Sequence, residues 1–234
     1  MKIVYADNNA TTKVADEVIA EMLPYLGELY GNPSSMHTFG GQVGKKIQQA
    51  RQRVADFINA DPDEIVFTSC GTESDNAAIN AAINAFPDKK HIITSNVEHP
   101  AINNLYKHLQ KTKGYEVTFV PVDEKGFLDL DLLYKSMSDN TAIVSLMWAN
   151  NETGVLFPIE EIAKKANEKG ILFHTDAVQA AGKIPIDVKK TGVDMLSLSG
   201  HKIHAPKGIG VLYVKKGFKF SPLLIGGHQE KGRY

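Results

Sequence analysis

Apolar residues along the chain alternate between two patterns. Short apolar runs, several of them rich in β-branched or aromatic side chains and bounded by turn residues, predict strands. These runs cover residues 65–67, 91–94, 117–121, 143–147, 171–174, 195–198 and 210–214. Helical patterns separate most of the runs, and this alternation of strand and helix is typical of an α/β fold.

Two helices are the most clearly specified by the sequence. Over residues 40–59, apolar side chains recur at steps of three and four and therefore share one face. These side chains are Val43, Ile47, Ala50, Val54 and Phe57. The wetter side is predicted to carry Gln48, Gln49, Arg51 and Gln52. The second helix lies between Pro158 and Gly170, because proline suits a first helical turn and glycine a helix end.

The fold class follows from the continuous apolar character of the strands. Such strands, when joined by helices, predict a mostly parallel sheet with helices on both faces. Ligands of these sheets bind beyond the carboxyl ends of the strands. Polar segments follow five of the predicted strands, at residues 68–76, 95–99, 149–154, 175–179 and 199–207. The sequence therefore predicts one crevice that is lined by five loops.

The bulk composition is that of an ordinary globular protein. With 43% hydrophobic and 23% charged residues, the 234-residue chain can bury a sizeable core. The formal net charge of −1 supplies no overall field to attract nucleic acid or an anionic membrane. No apolar run approaches the ~18 residues that span a bilayer, and the first residues lack the order of a secretory signal. We therefore expect a soluble, cytoplasmic protein without nucleic-acid or membrane partners.

The segment TSCGTESDN follows a predicted strand and opens a predicted helix. Gly71 allows close approach of the backbone, and Thr72 is predicted to cap the helix with Asp75 three positions later. The amides at a helix start bind phosphate, and the hydroxyls of Ser69 and Thr72 can add hydrogen bonds. A plain capped helix without a ligand is the alternative.

A carboxylate and a lysine follow two other predicted strands. In ILFHTDAVQ, His174 and Asp176 are two residues apart and so lie on the same side of the strand. Asp176 would favour a protonated ring nitrogen in a bound heterocycle, although it could also cap a turn. In LSLSGHKIHAPKG, a buried Lys202 of depressed pKa could attack a carbonyl, with Ser199 and His201 near a phosphate. The alternative is a loop lysine that reaches solvent.

The histidines allow two further interpretations. His99 precedes Pro100 at a strand-to-helix junction, where its ring could cover a planar cofactor or cap the helix. A zinc site is the second interpretation, since zinc binds histidine and aspartate. Its candidate ligands are His174, Asp176, His201 and His204. That site would leave Lys202 as an unexplained cation between two ligands, so we favour a site without metal.

Seven motifs stand in order along the chain. They are DNNATT near Asp7, YGNPSS near Tyr30, FTSCGTESDN, SNVEHP, ANNETG, HTDAVQ and SGHKIHAPKG. Over essentially the whole length they resemble the cysteine desulfurases within the class V aminotransferase-like enzymes. The resemblance implies a pyridoxal-phosphate large domain of the aspartate-aminotransferase type at residues 16–234, incomplete at its C-terminal end. Residues 1–15 would then be an N-terminal segment that packs with a small domain missing from this chain.

The resemblance also implies roles for individual residues. Lys202 would bind pyridoxal 5'-phosphate as a Schiff base, and His99 would stack on the ring and transfer protons. Asp176 would face the pyridine nitrogen, Gln179 the phenolic oxygen, and Asn151 the substrate carboxylate. The residues that would hold the phosphate are Gly71, Thr72, Ser199 and His201.

The activity implied by the resemblance is removal of sulfur from L-cysteine, which leaves L-alanine and an enzyme persulfide for iron-sulfur cluster assembly. The family's nucleophilic cysteine comes from its C-terminal part, whereas the single cysteine here, Cys70, lies in the phosphate loop. We therefore expect a truncated chain that binds the cofactor but is inactive by itself. The implied partners are a second copy of the chain and a sulfur-acceptor or scaffold protein. Selenocysteine lyase and class V aminotransferase activities are alternatives, since Lys202 and Asp176 would serve each of them.

Overall fold

The computed structural model describes residues 3–233 and contains a seven-stranded sheet. Its strands are β1 (Ile65–Thr68), β2 (His91–Ser95), β3 (Glu116–Val120), β4 (Thr141–Met147), β5 (Leu172–Asp176), β6 (Met195–Ser199) and β7 (Gly210–Val214). They lie side by side in the order β1-β7-β6-β5-β4-β2-β3. All seven predicted strands are confirmed.

The sheet is mostly parallel, as the sequence predicts. β3, β2, β4, β5 and β6 pair in parallel. β7 is antiparallel to both of its neighbours, and its first residue, Gly210, pairs with Thr68 at the end of β1 and with Ser199 at the end of β6. The loops that follow β1, β2, β4, β5 and β6 therefore leave the sheet at the same edge.

Helices cover both faces of the sheet. They are α1 (Asp16–Gly27), α2 (Thr38–Ile58), α3 (Gly71–Ala85), α4 (Pro100–Lys113), α5 (Leu130–Ser136), α6 (Ile159–Glu168) and α7 (Val188–Thr191). Alternate strand residues point to opposite faces, so Ile92 and Ile143 pack with α3 and α4 while Ile93 and Val144 pack with α2 and α6. This confirms the predicted α/β class. None of the helices within residues 3–233 has the length and apolarity to cross a bilayer.

The face that α2 buries differs from the prediction. Arg51, predicted on the wetter side, is only 5% exposed. Its guanidinium donates to both carboxylate oxygens of Glu230, at 2.6 and 2.8 Å, and stacks 4.7 Å from the centre of the Phe67 ring. Phe57, predicted in the core, is 45% exposed. Arg51 is therefore buried by an ion pair with a residue distant in the sequence, which the local apolar pattern of α2 does not reveal.

Candidate functional site

A cavity of about 530 Å³ opens at the carboxyl ends of the parallel strands. Each of the five polar loops contributes to its wall, so the structure brings them together in one crevice. Ser69, the other hydroxyl predicted beside the phosphate, is not part of this wall and donates to the Glu73 carboxylate instead. All nine residues to which the resemblance assigns a role do line the cavity. They are Gly71, Thr72, His99, Asn151, Asp176, Gln179, Ser199, His201 and Lys202. A volume of this size is typical of small-molecule and cofactor sites.

Lys202 ends the single 3-10 turn that follows β6. Its ammonium donates to the backbone carbonyl of Asn9 and, at 3.0 Å, to that of Ala10. Burial lowers the pKa of Lys202, while Asp176 and Asp7 act in the opposite direction. A lowered pKa increases the fraction of neutral amine at a given pH, which is the form that attacks a carbonyl.

Asp176 ends β5 and is 7% exposed. Its Oδ1 accepts a hydrogen bond from the Val178 amide at 2.9 Å, which fixes the carboxyl group against the following turn. Burial raises the pKa of Asp176, while the hydrogen bond from the Val178 amide and the charge of Lys202 oppose that rise. A buried carboxylate without a directly paired cation favours a positively charged ligand beside it.

The start of α3 corrects the predicted cap. The helix begins at Gly71, so Thr72 lies within the first turn and not at the cap position, which Cys70 occupies without a capping side chain. The amide of Ser69 instead donates to the Glu73 carboxylate at 2.8 Å. The predicted capping role of Asp75 is also wrong, because a helix that begins at Gly71 places Asp75 in its second turn, where the side chain is buried at 1% exposure. The first-turn amides of α3 have no intrahelical acceptors and remain suited to an anion.

Gly71 is closely packed against the side chains of Val178 and Ser199. A Cβ atom there would lie 3.0 Å from Val178 Cγ2 and 3.4 Å from Ser199 Cβ. The helix start is thus pressed against the turns that follow β5 and β6. This contact draws the candidate phosphate-binding amides, Asp176 and the Lys202 turn to one cavity.

A methyl group at Gly210 is expected to destabilise the chain. Gly210 lies behind the helix start, and a Cβ there would be 2.5 Å from the Cys70 carbonyl carbon and 2.6 Å from Thr68 Oγ1. Because the clash is partly with backbone, we expect Gly210→Ala to lower the free energy of unfolding by about 1–3 kcal/mol, measured by urea denaturation. Gly41→Ala in α2, where a Cβ meets nothing within 4 Å, is the control and should raise it by about 0.5–1 kcal/mol. Equal stability of Gly210→Ala and wild type would contradict this packing argument.

A buried polar cluster lies beneath the cavity. His174 is fully buried between Ser145 Oγ, at 2.8 Å from Nδ1, and Ser197 Oγ, at 2.9 Å from Nε2. Burial lowers the pKa of His174 to about 3, so the ring is neutral at physiological pH. Asp75 Oδ1 lies 3.7 Å from His174 Nε2, and burial together with the charge of Asp176 raises the pKa of Asp75. Because the His174 ring is neutral, it does not form an ion pair with Asp75 and is held by the two serine hydroxyls.

The zinc interpretation finds no support in this geometry. His201 Nδ1 lies 3.1 Å from Thr11 Oγ1, and His204 Nδ1 lies 3.0 Å from the Lys13 carbonyl, so the two rings are engaged by different residues. Within residues 3–233, histidine, cysteine and carboxylate side chains form no cluster of three or more that could hold a metal ion.

The remaining polar residues of the cavity are held by specific bonds. His99 caps α4, since its Nδ1 accepts from the Ala101 amide at 3.1 Å, which leaves the ring proton on Nε2. Gln179 donates through Nε2 to the Asn9 carbonyl at 2.9 Å. Asn151 donates to the Glu152 carboxylate at 2.6 Å. Burial, followed by the charge of Lys202, lowers the pKa of His201.

The sequence patterns of the five loops did not reveal every residue of the cavity wall. Asp7, Asn9 and Ala10 of the N-terminal segment, together with Asp75 and Glu152, also line the cavity. The signal for the first three residues is the polar run DNNATT, which carries family resemblance but follows no predicted strand. Asp75 and Glu152 lie within two of the five polar loops. Nothing in the sequence of those loops distinguishes them as residues of the cavity wall.

Comparison with protein families gives a match over nearly all of the described chain. Residues 4–232 match the model of the family Aminotransferase class-V. A curated "Cysteine desulfurase" of Trichormus azollae is 62% identical over 233 residues, and "Cysteine desulfurase NifS" of Azotobacter vinelandii is 57% identical over 234 residues. In both cases the alignment covers 100% of this chain, which spans 58% of the relative's length.

Two solved structures have nearly the same backbone. A structure titled "NIFS-LIKE PROTEIN" is 44% identical, with a TM-score of 0.94, and is matched over 98% of this chain and 63% of that chain. A structure titled "SspA in complex with cysteine" is 39% identical, also with a TM-score of 0.94, over 98% of this chain and 67% of that chain.

Proposed function

Because the chain belongs to the class-V aminotransferase family, we propose that it forms the cofactor-binding part of a pyridoxal-phosphate-dependent cysteine desulfurase. One observation carries the proposal. The amine of Lys202 and the buried carboxyl group of Asp176 line the same cavity as the start of α3. A covalent anchor, a partner for a ring cation and a phosphate site are thus present together.

The residues of the cavity suit pyridoxal phosphate in charge and in shape. The first-turn amides of α3 at Gly71 and Thr72, with the Ser199 hydroxyl and the His201 ring, would hold the phosphate. Close packing at Gly71 brings those amides to the cavity wall without an intervening side chain. When bound, pyridoxal phosphate supplies a cationic ring that withdraws electrons from the bonds at the substrate α-carbon.

The chain's own residues then have distinct tasks. Lys202 provides the amine that attacks a carbonyl, and its lowered pKa favours the neutral form. Asp176 stabilises positive charge at the ring nitrogen, because a buried carboxylate gains more from a cation than an exposed one does. His99 Nε2 would hold or move a proton at the cavity wall, while Nδ1 accepts the hydrogen bond from the Ala101 amide at the start of α4.

L-Cysteine is the proposed substrate, since the curated relatives carry the name cysteine desulfurase and one structural neighbour is titled as a complex with cysteine. The reaction breaks the carbon–sulfur bond of cysteine. The sulfur passes to an enzyme thiol, which becomes a persulfide, and a proton takes its place on carbon to give L-alanine. Atoms and electrons balance without an external oxidant or reductant. Asn151 lies at the wall where the substrate carboxylate would bind.

The cofactor site is tested by reconstitution of the 234-residue chain with pyridoxal phosphate. We expect a visible absorption band, and borohydride reduction followed by peptide mass spectrometry should place the cofactor adduct on Lys202. Lys202→Ala should lose the band and the adduct. Lys207→Ala, which changes an exposed lysine of the same loop, is the control and should keep both. A wild-type chain that acquires neither band nor adduct would refute the site assignment.

The reaction is tested separately on the whole natural protein. Incubation with cysteine should yield equal amounts of alanine and protein persulfide. Selenium release in preference to sulfur release would indicate a selenocysteine lyase, and amino transfer to an oxoacid would indicate an aminotransferase. Either result would overturn the desulfurase proposal while leaving the cofactor site intact.

A further inference from the structure

The N-terminal segment places a single residue in the protein interior. Among the described residues before Gly40, only Thr12 is buried, at 5% exposure. α1, which follows the segment, buries none of its residues. The one side chain that the segment inserts is therefore polar, and its contacts indicate what the segment does.

Thr12 bonds to the turn that carries Lys202 on both sides of that lysine. Its amide and its hydroxyl both donate to the His201 carbonyl, each at 2.9 Å. The same hydroxyl accepts from the His204 amide at 2.8 Å. Thr12 thus joins the backbone directly before Lys202 to the backbone two residues after it.

The backbone held by Thr12 is in an uncommon conformation. His204 has φ of +63°, a left-handed conformation that a residue with a side chain rarely adopts. Such a conformation persists only where surrounding contacts hold it. Two further bonds act here, since the Ala15 amide donates to the His204 carbonyl at 3.0 Å and His204 Nδ1 lies 3.0 Å from the Lys13 carbonyl.

We propose that Thr12 is a positioning residue for Lys202: by bridging His201 and His204 it holds the turn in the conformation that directs the lysine into the cavity. Serine can make the same bonds, whereas valine has the same shape but can neither donate nor accept. Valine would leave the His204 amide without the acceptor that Thr12 supplies. The inference rests on the proposed function only in assigning Lys202 a role in cofactor binding.

The first test is hydrogen–deuterium exchange of the cofactor-free 234-residue chain. Thr12→Val should raise exchange over residues 200–206 by about tenfold or more, because the hydroxyl bonds that hold the turn are lost. Thr12→Ser should restore the wild-type rate. Thr94→Val is the matched control, since Thr94 is fully buried and its hydroxyl has no hydrogen-bond partner among residues 3–233.

The second test links the turn to Lys202. With pyridoxal phosphate, Thr12→Val should bind about tenfold more weakly and give less of the lysine-linked absorption band, while Thr12→Ser and Thr94→Val should match wild type. Unchanged exchange in Thr12→Val, or a serine variant as impaired as the valine variant, would overturn the proposal. Faster exchange with unchanged cofactor affinity would also overturn it, because the turn would then not position the lysine.

A further variant covers the case in which Thr12→Val unfolds the whole chain. Ala15 has φ of −67° and ψ of 145°, which proline can adopt, so Ala15→Pro removes only the amide that donates to His204. Its exchange should rise within residues 200–206 and not in the strands of the sheet; no local rise would refute the proposal. Failure of the wild-type chain to bind pyridoxal phosphate would refute the proposed function but would leave this exchange result unaffected.

Discussion

Asp176→Asn is expected to weaken pyridoxal phosphate binding by about a hundredfold to a thousandfold at neutral pH, because removal of one partner from a buried charge pair is costly. Asparagine keeps the oxygen that accepts from the Val178 amide at 2.9 Å, so the turn should not move. It cannot balance positive charge on a ring nitrogen. The measurement is a spectroscopic titration of each chain with the cofactor.

The pH dependence of this difference follows from the direction of the Asp176 pKa. Burial raises that pKa, so lowering the pH through it protonates Asp176 in the wild type. The affinities of wild type and Asp176→Asn should therefore converge as the pH falls. Asp194→Asn is the control, since Asp194 is also buried, at 8% exposure, but lies outside the cavity wall. Equal affinity of Asp176→Asn and wild type at neutral pH would show that Asp176 does not face the cofactor cation.

Glu98→Gln is expected to flatten the pH dependence of stability between about pH 4.5 and 8. Glu98 is 5% exposed, and its Oε1 accepts from Ser95 Oγ at 2.6 Å and from the Met147 amide at 3.0 Å. Its Oε2 has no hydrogen-bond partner among residues 3–233. Burial raises the pKa of Glu98 from 4.5 to about 8. The folded chain therefore retains a proton over a pH range in which the unfolded chain has lost it.

The sign of the effect follows from this proton difference. The stabilising contribution is complete below pH 4.5 and is lost as the pH rises to about 8, at a slope of up to about 1.4 kcal/mol for each pH unit. Glutamine mimics the protonated form and should remove this slope. Asp75, whose pKa is also raised, keeps its own contribution to the pH dependence of stability, which has the same direction. Denaturant unfolding at several pH values provides the measurement. Glu116→Gln, at an exposed position, should behave as wild type, and an unchanged slope in Glu98→Gln would show that Glu98 is ionised in the folded chain.

The strands and the loops around the cavity could be predicted because their signals are local. Each strand is a short apolar run, and each polar loop follows directly at its carboxyl end. Once the sheet is parallel, geometry alone brings Asp176 and Lys202 to the same edge. The seven ordered motifs added the family, which the match over residues 4–232 confirms.

The features that were missed depend on contacts between distant parts of the chain. Arg51 is buried because Glu230 pairs with it, and no helical periodicity reveals a partner so far away. Thr72 and Asp75 have the spacing of a capping box, but close packing at Gly71 starts the helix earlier and turns Asp75 towards His174. The insertion of Thr12 beside Lys202 likewise has no local signature.

The bonds of Thr12 also constrain the order in which the protein can assemble during translation. Thr12 and His201 are separated by 189 positions, so Thr12 must wait for the synthesis of His201 before its hydroxyl finds its acceptor. At about 5–20 residues per second, that delay is on the order of ten seconds or more. During this interval β1 to β6 are synthesised, but Lys202 is not yet made and β7, which lies between β1 and β6 in the sheet, is still to come. Competence to capture a cofactor is therefore a late event in biogenesis, because the 201–204 turn and β7 are both synthesised after the other six strands.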